Sequence, residues 1–245
     1  MNTRLWILLA VLVVATIGGL VWYKNRNDNT GYIGHLDGSR LITKQNIVDA
    51  LEKSGQSDID ESTIIPDHYF GKKDSKVIVI EYEDFACSAC NSLAPYATKI
   101  HEEFEDRVLF IYRHFSINQN TSTLSQSGAE AAFLLGGREA FWQMHELIFG
   151  DDRCVEGQDK SGCESAILGY AEQMKLDKDK FETALKDYMT NGIKNKLNRD
   201  KALGIAAGVT ATPTWFINGE EIKGANYNKM REAIEQALKD TKKSE

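Results

Sequence analysis

Val77-Ile78-Val79-Ile80 is a run of four β-branched apolar residues, the pattern of a strand buried on both faces of a sheet. Beyond it Leu93, Tyr96, Ala97, Ile100 and Phe104 recur at helical spacing, and Val108 to Phe115 forms a second apolar run. Strand, helix and strand in that order make a β-α-β unit with parallel strands and a right-handed crossover. Leu124 to about Ala207 then reads as helix. Ala129–Leu135 closes at Gly136-Gly137, and further segments run over Ala140–Phe149, Ser165–Met174, Lys178–Met189 and Gly192–Ala206. Trp215-Phe216-Ile217 and Glu220-Glu221-Ile222 flank Asn218-Gly219, a strong hairpin signal. Asn228–Leu238 closes the chain as a helix with Met230, Ile234 and Leu238 on one face. The pattern predicts an α/β sheet domain split by a helical insertion.

The amino-terminal region has a different character. Leu5 to Tyr23 is a 19-residue run without a charge, bounded by Arg4 and by Lys24 and Arg26. That length spans a hydrocarbon core of about 30 Å, and Trp22 and Tyr23 stand where interface anchors are found. The expectation is a retained transmembrane anchor over 1–23, in preference to a cleaved signal peptide. Residues 24–62 are polar and read as a tether with one short helix between Thr43 and Gly55. The remaining boundaries fall at 63–118 and 208–245 for the two halves of the sheet domain and at 119–207 for the insertion.

The formal net charge of −7 and the absence of a basic stripe exclude a nucleic-acid binder. Four cysteines, at 87, 90, 154 and 163, form two close pairs, a usage that suits an oxidising compartment.

Cys87-Ser88-Ala89-Cys90 lies where a buried strand passes into a helix. There the unpaired amides and the dipole of the helix N-terminus stabilise a thiolate on the first cysteine. Two intervening residues let the sulfurs close a small ring that exchanges readily. Half of a zinc site is the competing reading, but no second Cys or His pair stands at ligand spacing. Cys154 and Cys163 sit in a polar stretch between helices, where a disulfide would brace the loop. A second redox pair relaying electrons is the sharper alternative, with nothing beyond the pairing in its favour.

The segment VIVIEYEDFACSAC, Val77 to Cys90, resembles the active-site strand and helix of the DsbA-like branch of the thioredoxin superfamily. GVTATPTWFING, Gly208 to Gly219, resembles that family's cis-proline loop and hairpin. With the helical insertion in its place, the resemblance covers Ile64 to Leu238 and implies a thioredoxin-like fold. It implies Cys87 as nucleophile and Cys90 as the resolving cysteine of a redox-active disulfide, with Ser88 and Ala89 tuning the thiolate. It makes Glu81 a buried acid exchanging a proton with Cys90, with Glu83 a partly exposed strand-end residue. Pro213 becomes a cis-proline facing the cysteines, and Thr212 offers its backbone to an extended peptide. Pro95 matches a proline of the active-site helix. Phe85, His114, Phe141 and Trp142 are candidates for the walls of a substrate groove.

These readings converge on a membrane-anchored extracytoplasmic thiol–disulfide oxidoreductase, an oxidase passing a disulfide from Cys87–Cys90 to folding exported proteins. It would need no cofactor or metal, act as a monomer, and be reoxidised by a membrane partner. A reductase or isomerase shares the same motifs and differs in poise. A non-redox holdase and a metal-delivery protein are the rivals from other classes.

Overall fold

The computed structural model describes residues 65, 67–117, 121–188, 192–224 and 226–243. The expected anchor, tether and short helix lie outside the described residues. Among the described residues no helix is long and apolar enough to cross a membrane.

Five strands form one sheet in the order β1-β3-β2-β4-β5, with β1 at His68–Gly71, β2 at Ile78–Glu83, β3 at Leu109–His114, β4 at Thr214–Ile217 and β5 at Glu220–Lys223. Helix α1 (Ser88–Phe104) joins β2 to β3, which pair in parallel from Ile78↔Leu109 to Glu83↔His114. β4 pairs antiparallel with β2, placing Trp215 opposite Glu81, and β5 completes the hairpin. β1, which the apolar pattern did not predict, pairs antiparallel with β3 from His68↔Tyr112 to Gly71↔Leu109.

The pleat sorts side chains between the two faces. Val79, Phe110, Trp215 and Ile217 pack under Leu93, Ala97 and Ile100 of α1 and under Met230 and Ile234 of α6 (Tyr227–Lys243). Glu81 and Glu83 follow Val79 on that face. Tyr96, at a core-like position in the sequence pattern, is instead 47% exposed beside Tyr227.

The helical block consists of α2 (Thr121–Phe149), α3 (Lys160–Gln173), α4 (Lys178–Lys186) and α5 (Ile193–Ala207). The expected break at Gly136-Gly137 is a kink within α2, where Gly137 takes φ 71° and ψ −161°, a backbone region open to glycine. Asp159 and Asp177 cap α3 and α4 by accepting from Gly162 N and Lys180 N, which satisfies orphan amides of the first turn. The block shares a core with the sheet: Ala129, Phe141, Met144 and Ile167 join Phe85, Tyr112, Cys87 and Cys90 in one cluster. α5 approaches the opposite face through Gly204, where a Cβ would lie 2.5 Å from Phe115 Cδ2.

Buried ions tie the block to the sheet. Asp67 binds Arg113 of β3 and Arg199 of α5, each at 2.7 Å, and Lys196 pairs with Asp200. Burial opposes ionisation of Asp67, but Arg113, Arg199 and Lys196 outweigh it and hold the carboxyl well below the usual range. A second cluster sets His68 Nε2 and His114 Nε2 each 2.8 Å from Glu130 Oε1, with His68 stacked on Phe141 at 3.5 Å. Burial lowers His68 to about 4, so its imidazole is neutral at pH 7.

Candidate active site

β2 ends at Glu83, and the next four residues turn the chain into α1. Asp84 organises that turn: its Oδ1 accepts from Ala86 N at 3.0 Å, and its carbonyl from Cys87 N at 2.9 Å. Its Oδ2 accepts from Ile117 N and from Ser122 Oγ, at 2.8 and 2.7 Å. A fully buried aspartate thus fastens the strand-to-helix turn to α2 and to the chain following β3. Cys87 occupies the N-cap of α1.

Cys87 and Cys90 are free thiols, 5% and 0% exposed, and Ser88 and Ala89 between them are exposed. Cys87 Sγ donates to the carbonyl of Thr212 at 3.4 Å. The Thr212–Pro213 peptide is cis, and the proline loop lies against Cys87. Cys87 is lowered to about 6, first by the hydrogen bond from the Cys90 thiol. Burial opposes the shift, while the Thr212 hydroxyl and the amides of Cys90 and Ala89 add to it. Cys90 is pushed well above the usual thiol range, first by burial, then by its bond to Cys87 and by the charge of Glu83. One thiol is prepared to ionise near neutral pH and its partner to stay protonated, which is the division of labour that exchange requires.

Two carboxyls lie on the strand leading to the pair. Glu81 is 1% exposed and accepts from His101 Nε2 of α1 at 2.8 Å. Glu83 corrects an expectation: it is 2% exposed, not a half-open strand end. Its Oε1 accepts from the Trp215 indole at 2.7 Å. Burial raises Glu83 to about 8, helped by the neighbouring charges of Glu81 and Cys87 and opposed by the Trp215 bond. A cleft of about 680 Å³ between α1 and α2 reaches both carboxyls and is also lined by Pro95, His101, Trp142 and His145.

The groove residues need a second correction. Phe85, His114 and Phe141 are fully buried. Phe85 packs on Tyr112 and Phe149 behind the cysteines, at ring distances of 5.8 and 4.7 Å, and offers no surface to a peptide. Trp142 alone of the four lines the cleft.

Cys154 and Cys163 form a buried disulfide. Its loop touches the active-site turn, since Glu156 N donates to the Ala86 carbonyl at 2.8 Å; nearby, Asn91 Nδ2 of α1 donates to the Phe149 carbonyl at the end of α2 at 3.2 Å. Among the described residues no three His, Cys, Asp or Glu side chains are grouped to hold a metal ion. Sequence reasoning missed Asp84, Glu83, His101 and Trp215. For Glu83 the signal was only an acidic residue on a buried strand, and the Trp215 indole that positions it lies 132 residues away.

A family model described as Thioredoxin matches residues 63–236, more than half of the chain. The Na(+)/H(+) antiporter NhaA 1 of Salinispora arenicola is 30% identical over 177 residues, covering 72% of this chain and 25% of that protein. The chain spans about a quarter of the length of the curated relatives it matches. BdbD from Bacillus subtilis superposes with a TM-score of 0.58 at 26% identity, covering 71% of this chain and 93% of that one. The thiol-disulfide exchange protein alpha-DsbA2 from Wolbachia pipientis gives 0.60 at 20% identity, with 78% and 96% covered, a likeness of fold. The chain therefore belongs to the thioredoxin family, with the fold of DsbA-like thiol–disulfide oxidoreductases and a cysteine pair at that fold's active-site position.

Proposed function

We propose that the chain is an extracytoplasmic thiol–disulfide oxidase that donates the Cys87–Cys90 disulfide to exported proteins as they fold. The observation carrying this reading is the stabilised thiolate of Cys87, lowered to about 6 by Cys90, Thr212 and the helix amides. Whatever stabilises the reduced form makes the disulfide a stronger oxidant. A substrate thiolate attacks Cys87 Sγ, the Cys87–Cys90 bond breaks, and Cys90 leaves with the electron pair and takes up a proton. A second substrate thiolate attacks the substrate sulfur of the mixed disulfide and releases Cys87 as its thiolate. The substrate has lost two electrons and the cysteine pair has gained them; a membrane partner carrying a disulfide takes them away. Thr212 and Pro213 stand beside Cys87, where an extended peptide would pair with the loop backbone.

Leu5–Tyr23 serves in this reading as the anchor that holds the domain at the cytoplasmic membrane, acting as a monomer. The Cys154–Cys163 disulfide supports an oxidising compartment. The test is a redox titration of the full chain in glutathione buffers, following Cys87–Cys90 and Cys154–Cys163 as separate peptides by mass. Half-oxidation at a clearly oxidising potential supports the donor role. A strongly reducing value makes the protein a reductase, and a pair that never titrates removes the enzyme reading.

A further inference from the structure

We propose that Glu83, rather than Glu81, is the carboxyl that exchanges a proton with Cys90, and that the cleft between α1 and α2 connects it to solvent. The proposal rests on thiol–disulfide exchange at Cys87–Cys90 and names the group that completes it. Three structural relationships carry it.

First, β2 runs toward the cysteines, and Glu83 is its last residue. At roughly 3.3 Å per strand residue it stands about 6–7 Å further along the strand than Glu81, on the same face and toward the turn that carries Cys87. Cys90 feels the charge of Glu83 after its own burial and its bond to Cys87, and Glu83 in turn feels Cys87. Second, Glu81 is already engaged, with His101 Nε2 at 2.8 Å from its Oε1. Glu83 has an indole N–H on Oε1, a neutral donor that positions the carboxyl without supplying a counter-charge. Third, the cleft reaches Glu83 from a rim carrying the exposed Glu102 and Glu105, so a proton on Glu83 has a way out that the fully buried Cys90 lacks.

The groups around Glu83 are Glu81 on its own strand, Cys87, Cys90 and His101 from α1, Tyr112 from β3, Trp215 from β4 and His145 from α2. Tyr112 is pushed well above the usual phenol range, first by burial and then by Glu83, and its hydroxyl is buried without a hydrogen-bond partner. Glu81 places a second acid beside Glu83, which favours the protonated form of Glu83. When the disulfide is donated, Cys90 leaves as a thiolate and Glu83 gives it a proton, becoming a carboxylate that is reprotonated through the cleft. When the pair is reoxidised, the Glu83 carboxylate takes the proton from Cys90. The Cys90 thiolate then attacks Cys87 Sγ in the mixed disulfide, and the partner's thiolate leaves.

The experiment mixes reduced full-length protein with oxidised glutathione. It follows, by quenching and mass, the closure of the Cys87–glutathione mixed disulfide to the Cys87–Cys90 disulfide. Wild-type closure is expected to quicken with rising pH through about 8, as Glu83 ionises. Glu83→Gln is expected to slow closure at pH 7.5 by about tenfold to a hundredfold and to remove that rise. Glu83→Asp should recover part of the rate, and Glu81→Gln, which removes a neighbouring charge that favours protonated Glu83, should keep the rise with pH but move it to lower pH. Infrared difference spectra between oxidised and reduced protein supply a readout that a packing role would not move. A protonated-carboxyl band should change in the wild type and in Glu81→Gln and be missing in Glu83→Gln. A larger loss in Glu81→Gln, or a Glu83→Gln protein that keeps the wild-type rate and pH profile, overturns the proton role while leaving exchange intact. A wild-type chain that forms no disulfide with glutathione overturns both readings.

Discussion

Cys87 Sγ lies 3.4 Å from the carbonyl oxygen of Thr212, a residue 125 positions later. The Thr212 hydroxyl, otherwise unpartnered, lies where it can donate to the thiolate, and the Cys90 thiol is its stronger donor. The thiolate absorbance of Cys87, or its alkylation rate, should therefore rise with a midpoint near pH 6. Cys90→Ala removes the first of these donors and should move the midpoint up toward that of an ordinary thiol. Cys90→Ser keeps a hydroxyl donor and should move it less. Because the folded value is depressed, the contribution to reduced-state stability is complete above pH 9 and is lost as pH falls through about 6.

Glu83 has the opposite sign. Its folded value is raised to about 8, so the native state holds a neutral acid that the unfolded chain would ionise from about pH 4.5 upward. That contribution is present below pH 4.5 and fades as pH rises to 8. Glu83→Gln keeps an oxygen for the Trp215 indole and removes the titration. The variant should be more stable than the wild type at pH 7.5, on the order of 2 kcal/mol by denaturant unfolding, with the gap closing near pH 4.

The buried Cys154–Cys163 bridge closes a short loop that abuts the active-site turn through Glu156 N and the Ala86 carbonyl. Replacing both cysteines by Ala should cost about 2–3 kcal/mol of stability through loop-closure entropy. Closure of the Cys87–glutathione mixed disulfide should survive in that variant. Its loss would mean that electrons pass through the second pair.

Gly204 lets α5 approach the sheet closely enough that an added Cβ would meet Phe115 at 2.5 and 2.8 Å and Tyr82 at 3.1 Å. Gly204→Ala should destabilise by about 1–2 kcal/mol despite the better helix propensity of alanine, and Gly204→Val by more.

Most of the site was legible because its signals are local. Cys87 and Cys90 are three positions apart, the Thr212-Pro213 loop is one short motif, and β2, α1 and β3 carry plain apolar patterns. What escaped depends on partners distant in the chain. β1 is four residues, His68 to Gly71, with no alternation of its own, and is a strand because β3 lies beside it. Glu83 looks like a solvated acid until Trp215 closes over it. Lys196, Arg199 and Asp200 look like the polar face of a helix, yet all three are buried because Asp67 and Arg113 meet them from the sheet. Phe85 misled in the other direction. An aromatic next to a CxxC suggests a peptide-binding wall, whereas the turn held by Asp84 sends it inward.

Synthesis from the amino end sets an order on the assembly of this centre. Cys87 and Cys90 leave the ribosome long before Thr212, Pro213 and Trp215. Until β4 arrives, the nascent chain has neither the carbonyl that faces Cys87 nor the indole that positions Glu83. Four thiols are then present without the constraints that separate their duties. The last strand to pair with β2 thus switches the chemistry on, and a chain halted before residue 212 would display its cysteines without their reactivity being set.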